Sequence, residues 1–334
     1  MNELLPIYQH PALTVLVDDS RSFLDSVAFR MNPQLAYRIF DEPRTALDWL
    51  RNEYQHLEPH TSEIIRVGYD EATDSLERRS ASIDLEQVYR TVADRRRFGT
   101  PAVLVVDYAM PEMDGVEFCR AAREIPCGKI MLTGHANEKI AIDAFNDGLI
   151  DCFIRKNAPD AMERLEAAVI KLQKDFFLRR TSTLRDLLTR HTYAFLSDPA
   201  IETLVEQLCS QHRFVEHYLF PHPAGILFFD GKGRATLMVI ATRNSLTTQR
   251  ELAEDEAAPP ELLAALRELR LVPFFSDTHG RYLGETGNDW LQYCLPPQVC
   301  EGRETYYWAL FELPGHYLRE PVYSYAEFLR DQAG

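Results

Sequence analysis

Four short apolar runs, each followed closely by a polar side chain, constrain the fold of this chain more than any other feature. The runs are Leu13–Val17, Val103–Val106, Ile130–Leu132 and Cys152–Ile154, and each has the composition of a buried β-strand. Helical patterns separate them, which favours right-handed crossovers and a parallel sheet. In such a sheet the carboxyl ends of the strands share one edge, and ligands bind at that edge.

The polar residues that follow these runs form a chemically consistent set. Asp18 and Asp19 follow the first run, Asp107 follows the second, Thr133 the third, and Lys156 comes shortly after the fourth. At one edge of a sheet these residues would bring three carboxylates, a hydroxyl and an ammonium into one crevice. That set suits a divalent cation and a phosphoryl group.

The segment that begins at Asp107 carries a longer motif. Asp107-Tyr-Ala-Met-Pro-Glu-Met-Asp-Gly115 matches the D-x-x-M-P-x-M-D-G signature of receiver domains in bacterial two-component response regulators. The acidic pair, the threonine and the lysine also occur in that family's order, so the chain resembles the family over residues 11–173. The resemblance implies a flavodoxin-like α/β fold with a doubly wound, five-stranded parallel sheet. It also implies a signalling protein whose partner is a histidine kinase or a phosphotransfer protein.

The resemblance assigns roles to individual residues of this sequence. Asp107 would be the phosphoacceptor, since a carboxylate is a competent nucleophile when nearby cations neutralise the incoming charge. Lys156 would pair with a phosphoryl oxygen, and Thr133 would turn its hydroxyl toward the phosphoryl group. Thr133 and Phe153 would together form a switch, in which the aromatic ring rotates inward as the threonine moves.

A Mg2+ ion is the cofactor that the resemblance implies. Asp18, Asp19 and Asp107 would supply carboxylate ligands, and the backbone carbonyl of Ala109 would be a further protein ligand. Mg2+ favours one or two carboxylates together with waters and phosphate oxygens, which fits such a shallow site.

The chain departs from the receiver pattern in two places. An insertion at about 57–100 is too long for a structureless loop. It contains a polar stretch, Glu58–Arg79, which is predicted to be mobile, and a predicted helix over Ile83–Val92. Asn157 follows Lys156 where receivers usually have proline. The predicted domains are a receiver at 1–173, a helical linker at 174–198 and an output domain at 199–334.

The last receiver helix is predicted to continue from Asp160 to about Arg190. Its apolar residues follow a 3-4 spacing that would suit a helical dimer contact as well as packing on the sheet. These seam residues are Met162, Leu165, Val169, Leu172 and Phe176. A phosphorylation-dependent homodimer is therefore predicted.

The C-terminal part is predicted to be an α+β domain with a mainly antiparallel sheet. The pattern predicts a helix over Pro199–Leu219 and a hairpin formed by Gly225–Asp230 and Ala235–Thr242. Further helical sequence precedes three strands, predicted at Leu271–Phe275, Trp290–Leu295 and Thr305–Leu313. This layout weakly resembles a PAS sensor domain over about residues 224–313.

Composition limits the partners. The formal net charge is −15, and after residue 196 the chain has 20 acidic against 11 basic residues. Duplex binding needs a basic surface, so direct DNA binding is not expected. No apolar stretch approaches the ~20 residues that cross a bilayer, and the start lacks a signal peptide's basic region. The expected compartment is the cytoplasm, where the six cysteines would stay reduced.

These patterns predict a response regulator that is not an enzyme and that acts through protein contact or small-ligand sensing. An alternative is an enzymatic output domain, a metal-dependent hydrolase or a degenerate nuclease. It would use carboxylates near the predicted strands, namely Asp230, Glu285, Asp289, Glu301 and Glu304. A weaker candidate metal site is formed by histidines that recur every five residues, His212, His217 and His222. Their spacing spreads them around a helix, which argues against metal binding.

Overall fold

The computed structural model describes residues 4–56, 65–69, 79–134, 138–190, 193–278, 280–313, 317–318 and 321–333. Internal contacts divide the chain into two units, and each is built from separate stretches of sequence. The receiver unit holds His10–His60 and Arg95–Arg180. The second unit holds Met1–Gln9, Thr61–Asp94 and Thr181–Gly334. The chain therefore passes from one unit to the other four times.

This grouping differs from the linear division of the chain at residues 173 and 198, which stays a prediction. The contacts assign the first nine residues and most of the insertion to the same unit as the C-terminal residues. Most of the polar stretch Glu58–Arg79 lies outside the described residues, so its predicted mobility also stays a prediction.

The regular elements up to residue 190 alternate between strands and helices. In chain order they are β1 (Tyr8–Gln9), β2 (Leu13–Val17), α1 (Arg21–Arg30), β3 (Tyr37–Phe40), α2 (Pro43–His56), β4 (Ile65–Tyr69), β5 (Arg79–Ile83), α3 (Glu86–Arg90), β6 (Pro101–Asp107), α4 (Gly115–Ala121), β7 (Gly128–Thr133), α5 (Glu138–Asn146), β8 (Cys152–Arg155) and α6 (Ala161–Leu188). Short 3-10 turns at Thr91–Ala93 and Arg95–Gly99 follow α3.

The receiver unit is built on a five-stranded parallel sheet in the order β3-β2-β6-β7-β8. Every residue of β2, β6 and β7 is buried, as expected for strands whose two faces are both covered. Helices connect the strands, so the crossovers run between parallel neighbours. The predicted flavodoxin-like sheet is confirmed.

Helix α6 has the length that its pattern predicts. Its apolar seam, however, packs within the chain and is not also exposed for contact with a second chain. Leu165, Val169, Leu172 and Phe176 are all buried within the chain. Leu172 also lies so close to β7 that a side chain at Gly128 would meet its Cβ at 2.8 Å. The seam therefore packs on the receiver sheet, and the idea that it could pair with a second chain is wrong for these residues.

The regular elements after residue 190 are mainly strands and shorter helices. In chain order they are α7 (Pro199–His212), β9 (Phe214–Phe220), β10 (Gly225–Asp230), β11 (Ala235–Ala241), α8 (Arg243–Asp255), α9 (Pro260–Arg267), β12 (Val272–Pro273), β13 (Cys294–Leu295), β14 (Gln298–Glu301), β15 (Thr305–Glu312) and α10 (Tyr325–Ala333).

The second unit is built on a six-stranded antiparallel sheet in the order β1-β9-β10-β11-β15-β14. The predicted hairpin is its centre, with Leu227 opposite Leu237. Its first strand comes from the start of the chain, where Tyr8 pairs with Tyr218 of β9. The predicted antiparallel α+β domain is confirmed in its class, whereas the PAS-like layout stays a prediction.

Two predicted elements of this unit are wrong. The helix predicted to reach Leu219 ends at His212, because Arg213 adopts a left-handed conformation with φ of 56° and β9 begins at the next residue. Most of the predicted strand at Trp290–Leu295 belongs to a 3-10 helix, Gly284–Tyr293. The insertion also differs, since β4 and β5 form an antiparallel hairpin ahead of the short helix α3.

Candidate functional site

The polar residues predicted to meet lie at the carboxyl ends of four neighbouring strands. β2 ends directly before Asp18, β6 ends on Asp107, β7 ends on Thr133, and Lys156 follows the last residue of β8. The four strands are adjacent in that order within one parallel sheet. Residues that are separated by up to 138 positions in sequence therefore share one edge.

The ammonium of Lys156 joins the two buried carboxylates of this edge. Its Nζ lies 2.6 Å from Oδ2 of Asp18 and 2.8 Å from Oδ1 of Asp107. The side chains of Asp18 and Asp107 are only 2% and 6% exposed, and that of Lys156 is 20% exposed. Two carboxylates that are removed from water are thus neutralised in part by one shared cation.

Asp18 illustrates how costly this arrangement is. Burial raises the pKa of Asp18 above its ordinary value, although hydrogen bonds from Lys156 and from the Ser20 backbone N–H act in the opposite direction. The Ser20 N–H donates to Oδ1 of Asp18 at 2.9 Å. A carboxylate in this state gains from any additional cation that approaches it.

Asp107 is held in place by the turn that follows β6. Its Oδ2 accepts a hydrogen bond from the backbone N–H of Ala109 at 3.1 Å. A side chain at Gly115 would put its Cβ 2.5 Å from the backbone carbonyl of Asp107, so only glycine fits there. Asp114 and Glu117 form a capping box that starts α4 at this glycine. The motif thus sets the turn that presents the carboxylate.

The three carboxylates fit a small divalent cation. Asp18, Asp19 and Asp107 each offer an oxygen, and these oxygens lie within 4.8 Å of one another. Asp18 and Asp107 are buried, whereas Asp19 is exposed and opens the group to solvent. Hard oxygen donors in this number are what Mg2+ takes from a protein before waters complete its shell. The donor set therefore agrees with the cofactor that the sequence implies.

Thr133 and Phe153 lie beside this group without joining its ion pairs. The backbone carbonyl of Thr133 accepts a hydrogen bond from the Lys156 N–H at 3.0 Å. The Thr133 hydroxyl is fully buried, and no hydrogen-bond partner for it occurs in the described parts of the chain. Phe153 is half-buried in β8 opposite Met131 of β7. The hydroxyl is thus available to a group that enters the site, while the switch role of Phe153 stays a prediction.

One contact of the site was not predicted from the sequence. The Nζ of Lys156 lies 4.1 Å from the ring centroid of Phe23 in the first turn of α1. The sequence contains one indication of this contact. Phe23 lies four residues after Asp19, and a helix that begins just after the acidic pair directs one of its faces toward the site.

The weaker candidate sets do not form sites. His212 ends α7 and is exposed, whereas His217 is buried in β9 with its Nε2 3.3 Å from the carbonyl oxygen of Pro6. Among the residues that the structure describes, only the aspartate group at the receiver edge has three or more side chains at metal-ligand spacing. The candidate carboxylates of the second unit, including Asp230, therefore form no such group within the described residues.

Residues 70–169 match the response regulator receiver domain family. These residues include Asp107, Thr133 and Lys156, and the acidic pair lies before them. The chain therefore contains a response regulator receiver domain, which supports a role in two-component signalling. Within the described residues, no helix has both the length and the apolar character needed to cross a membrane.

One solved structure is similar over nearly its whole length. The Legionella pneumophila response regulator LqsR has 29% sequence identity and a TM-score of 0.79, over 98% of this chain and 97% of that chain. A receiver domain protein from Clostridium thermocellum matches with 16% identity and a TM-score of 0.33, over 50% of this chain and 98% of that chain. No curated protein is similar enough to this chain to count as a match.

Proposed function

We propose that this regulator is controlled by the transfer of a phosphoryl group from a histidine kinase or a phosphotransfer protein to Asp107. The observation that carries the proposal is the Lys156 ammonium, which lies within 2.8 Å of carboxylate oxygens of both Asp18 and Asp107. A purely structural ion pair would need one acid, whereas this edge holds three. The excess of acid and the buried hydroxyl of Thr133 suit an incoming phosphoryl group with its cation.

The transfer uses Asp107 as the nucleophile. A carboxylate oxygen of Asp107 attacks phosphorus, the new O–P bond forms, and the P–N bond to the donor imidazole breaks. The imidazole nitrogen keeps the electron pair of that bond. Lys156 then balances charge on a phosphoryl oxygen, and the Thr133 hydroxyl donates a hydrogen bond to another. In this reaction Asp107 is the acceptor, and Lys156 and Thr133 bind the transferred group.

Asp18, Asp19 and Asp107, together with the backbone carbonyl of Ala109, would hold Mg2+. When bound, the ion supplies positive charge for the phosphoryl oxygens. Asp19 is the exposed member of the group and would be the point of entry. The buried Asp18 stays paired with Lys156 until the phosphoryl group takes over that cation.

Phosphorylation is proposed to act on the surface formed by β7, α5 and β8, through movement of Thr133 and Phe153. α5 exposes apolar side chains there, since Ile142 and Phe145 are 41% and 48% exposed. Burying such a surface against a second copy would favour a homodimer. The dimer proposed here therefore uses α5 rather than the seam of α6.

The second unit is proposed to transmit the signal by protein contact or small-ligand sensing. The similarity to LqsR extends over both units, which supports one regulator rather than a receiver joined to an unrelated domain. The acidic balance argues against direct DNA binding, and no observation favours the enzymatic alternative. The cytoplasm is the proposed compartment because all six cysteines are free, and burial raises the pKa of Cys119 and Cys127 to about 12.

Mass spectrometry of the full chain tests the proposal. Incubation with acetyl phosphate and Mg2+ should add one phosphoryl group, and Asp107→Asn should abolish the addition because an amide is a poor nucleophile. Asp143→Asn, which changes an exposed carboxylate on α5, is the matched control and should react like the native chain. Full phosphorylation of the Asp107→Asn chain at another residue would overturn the assignment.

A further inference from the structure

The cation of the candidate site is held on a third side by an aromatic ring. Besides its two carboxylate contacts, the Nζ of Lys156 lies 4.1 Å from the centroid of the Phe23 ring. Phe23 is half-buried, so the ring also shields the ammonium from part of the surrounding water. A cation over an aromatic face is attracted by the ring quadrupole, and the attraction grows as water is excluded.

The backbone of Lys156 does not by itself direct the ammonium. The Lys156 N–H donates to Thr133 O, and the Ala158 N–H donates to Arg155 O at 3.1 Å, which fixes the turn after β8. Beyond that turn the lysine side chain has four rotatable bonds and a strongly hydrated head. Asn157, the next residue, is exposed. The position of the Lys156 ammonium must therefore be determined by contacts at the far end of the side chain.

The segment that carries the acidic pair also places the ring. Asp18 accepts a hydrogen bond from the Ser20 N–H at 2.9 Å, and the Ser20 hydroxyl accepts one from the Phe23 N–H at 3.4 Å. Ser20 is thus both the partner of the carboxylate and the N-cap of α1. This short chain of bonds fixes Phe23 relative to Asp18, so that ring and carboxylate meet the same ammonium.

Removal of the ring would leave space beside the lysine side chain. A cavity of about 60 Å³ borders both Phe23 and Lys156 and is also lined by Leu132, Ile154 and Met162. Loss of the ring would enlarge this space and open it toward the side chain. The ammonium could then leave the carboxylates and take a water shell, which would weaken both of its ion pairs.

We propose that Phe23 is a positioning residue, whose ring holds the Lys156 ammonium against Asp18 and Asp107. The phosphoryl part of this inference rests on the proposed function of Asp107. Releasing the lysine has two opposite effects on the site. The phosphoryl group loses a fixed counter-cation, whereas Mg2+ loses a competitor for the same carboxylate oxygens. A general packing defect would weaken both functions together.

The test compares side chains at position 23 in the full chain. Phe23→Leu keeps an apolar side chain without a ring, and Phe23→Tyr keeps the ring. Replacing Phe23 by phenylalanines with one, two and three ring fluorines lowers the cation attraction in steps at nearly constant size. Phe29→Leu is the matched control, because Phe29 lies on the same helix and is 92% exposed. The readouts are the rate of phosphoryl uptake from acetyl phosphate and the Mg2+ dissociation constant by calorimetry.

Phe23→Leu should slow phosphoryl uptake about threefold to tenfold, and Phe23→Tyr should restore it to within about twofold. The fluorinated series should slow it in order of fluorine number, with Mg2+ affinity tighter than native throughout. Equal rates across the series, or Mg2+ affinity that does not become tighter, would overturn the proposal. A native chain that takes up no phosphoryl group would instead refute the function of Asp107. In that case the Mg2+ measurement alone decides for Phe23: tighter binding in Phe23→Leu supports it, and unchanged or weaker binding overturns it.

Discussion

Two buried aspartates, Asp18 in the receiver unit and Asp230 in the second unit, have pKa values that are shifted in opposite directions. At the edge of the parallel sheet, burial raises the pKa of Asp18. At the hairpin of the antiparallel sheet, burial would also raise the pKa of Asp230, but hydrogen bonds from the backbone and side chain of Arg234 hold it below its ordinary value. Asp230 accepts from the Lys232 and Arg234 backbone N–H groups and from the guanidinium of Arg234.

The difference shows how a structural and a chemical acid can be told apart. The hairpin turn satisfies Asp230 with its own neighbours and leaves little for a ligand. The receiver edge leaves Asp18 short of positive charge and leaves the Thr133 hydroxyl without a described partner. Substitution of Asp230 in the second unit should therefore reduce the free energy of unfolding. Substitution of the acids at the receiver edge should reduce phosphoryl uptake, with a smaller effect on the free energy of unfolding.

Removal of the first nine residues should have the largest effect on stability. Leu5, Ile7 and Tyr8 are buried in the second unit, and β1 is the edge of its sheet. Losing three such side chains should lower the free energy of unfolding of this unit by about 3–8 kcal/mol. Urea unfolding of the truncated chain measures this, with Phe29→Ser of the receiver unit as the control. An unchanged midpoint for the second unit would contradict the assignment of β1.

Asp230→Asn and Asp18→Asn should separate the two kinds of acid directly. The first removes charge-assisted bonds to Arg234 and should lower the free energy of unfolding by about 1–3 kcal/mol. The second removes a costly buried charge and should change it by less than about 1 kcal/mol, while phosphoryl uptake is lost. Thermal unfolding and acetyl phosphate labelling of both chains provide the data. A larger loss of stability in Asp18→Asn than in Asp230→Asn would contradict the distinction between the two acids.

Asp19→Ala should weaken Mg2+ binding without lowering the stability of the fold. Asp19 is exposed, so its removal should leave the unfolding midpoint nearly unchanged. The Mg2+ concentration needed for half-maximal phosphorylation should rise at least about tenfold, because the variant lacks a proposed direct ligand. Titration of Mg2+ into the labelling reaction checks this, with Asp25→Ala as an exposed control on α1. Equal Mg2+ requirements for the two variants would exclude Asp19 from the site.

The acid dependence of the second unit should show the smallest effect. The pKa of Asp230 is lowered in the folded chain, so its stabilising contribution is present above the ordinary value of 3.8. That contribution should disappear as the pH falls from this value through the lower folded pKa. Arg234→Ala should flatten this part of the stability profile, measured by urea unfolding between pH 2 and 5. The same slope in both chains would show that the Arg234 contact does not stabilise the ionised acid.

The sequence predicted the receiver sheet well because its strands are continuous buried runs. Leu13–Val17 was predicted with the bounds that the structure has, and the acidic pair, Asp107 and Lys156 were correctly placed at one edge. Such runs need no partner information to be recognised. The contact of Lys156 with Phe23 was missed because the two residues are far apart in sequence and nothing in the local pattern links them.

The second unit was predicted less well for equally physical reasons. β9 alternates polar and apolar residues only in part, so its pattern did not separate it from the helix before it. Arg213, which ends that helix, has a left-handed conformation that usually belongs to glycine or asparagine. β1 is only two residues long and is recognisable as a strand only through its pairing with β9. Tertiary contacts, not local propensity, decide both elements.

The early position of β1 also affects how the chain is made. Tyr218, the partner of Tyr8 in the sheet, is added to the growing chain roughly 200 residues after Tyr8. At ~5–20 residues per second this interval is about 10–40 s. Throughout that time β1 has no strand to pair with, and residues 61–94 likewise precede the rest of their unit. We therefore expect the second unit to fold only after β9 and the strands that follow it have been made, with β1 exposed to chaperones until then.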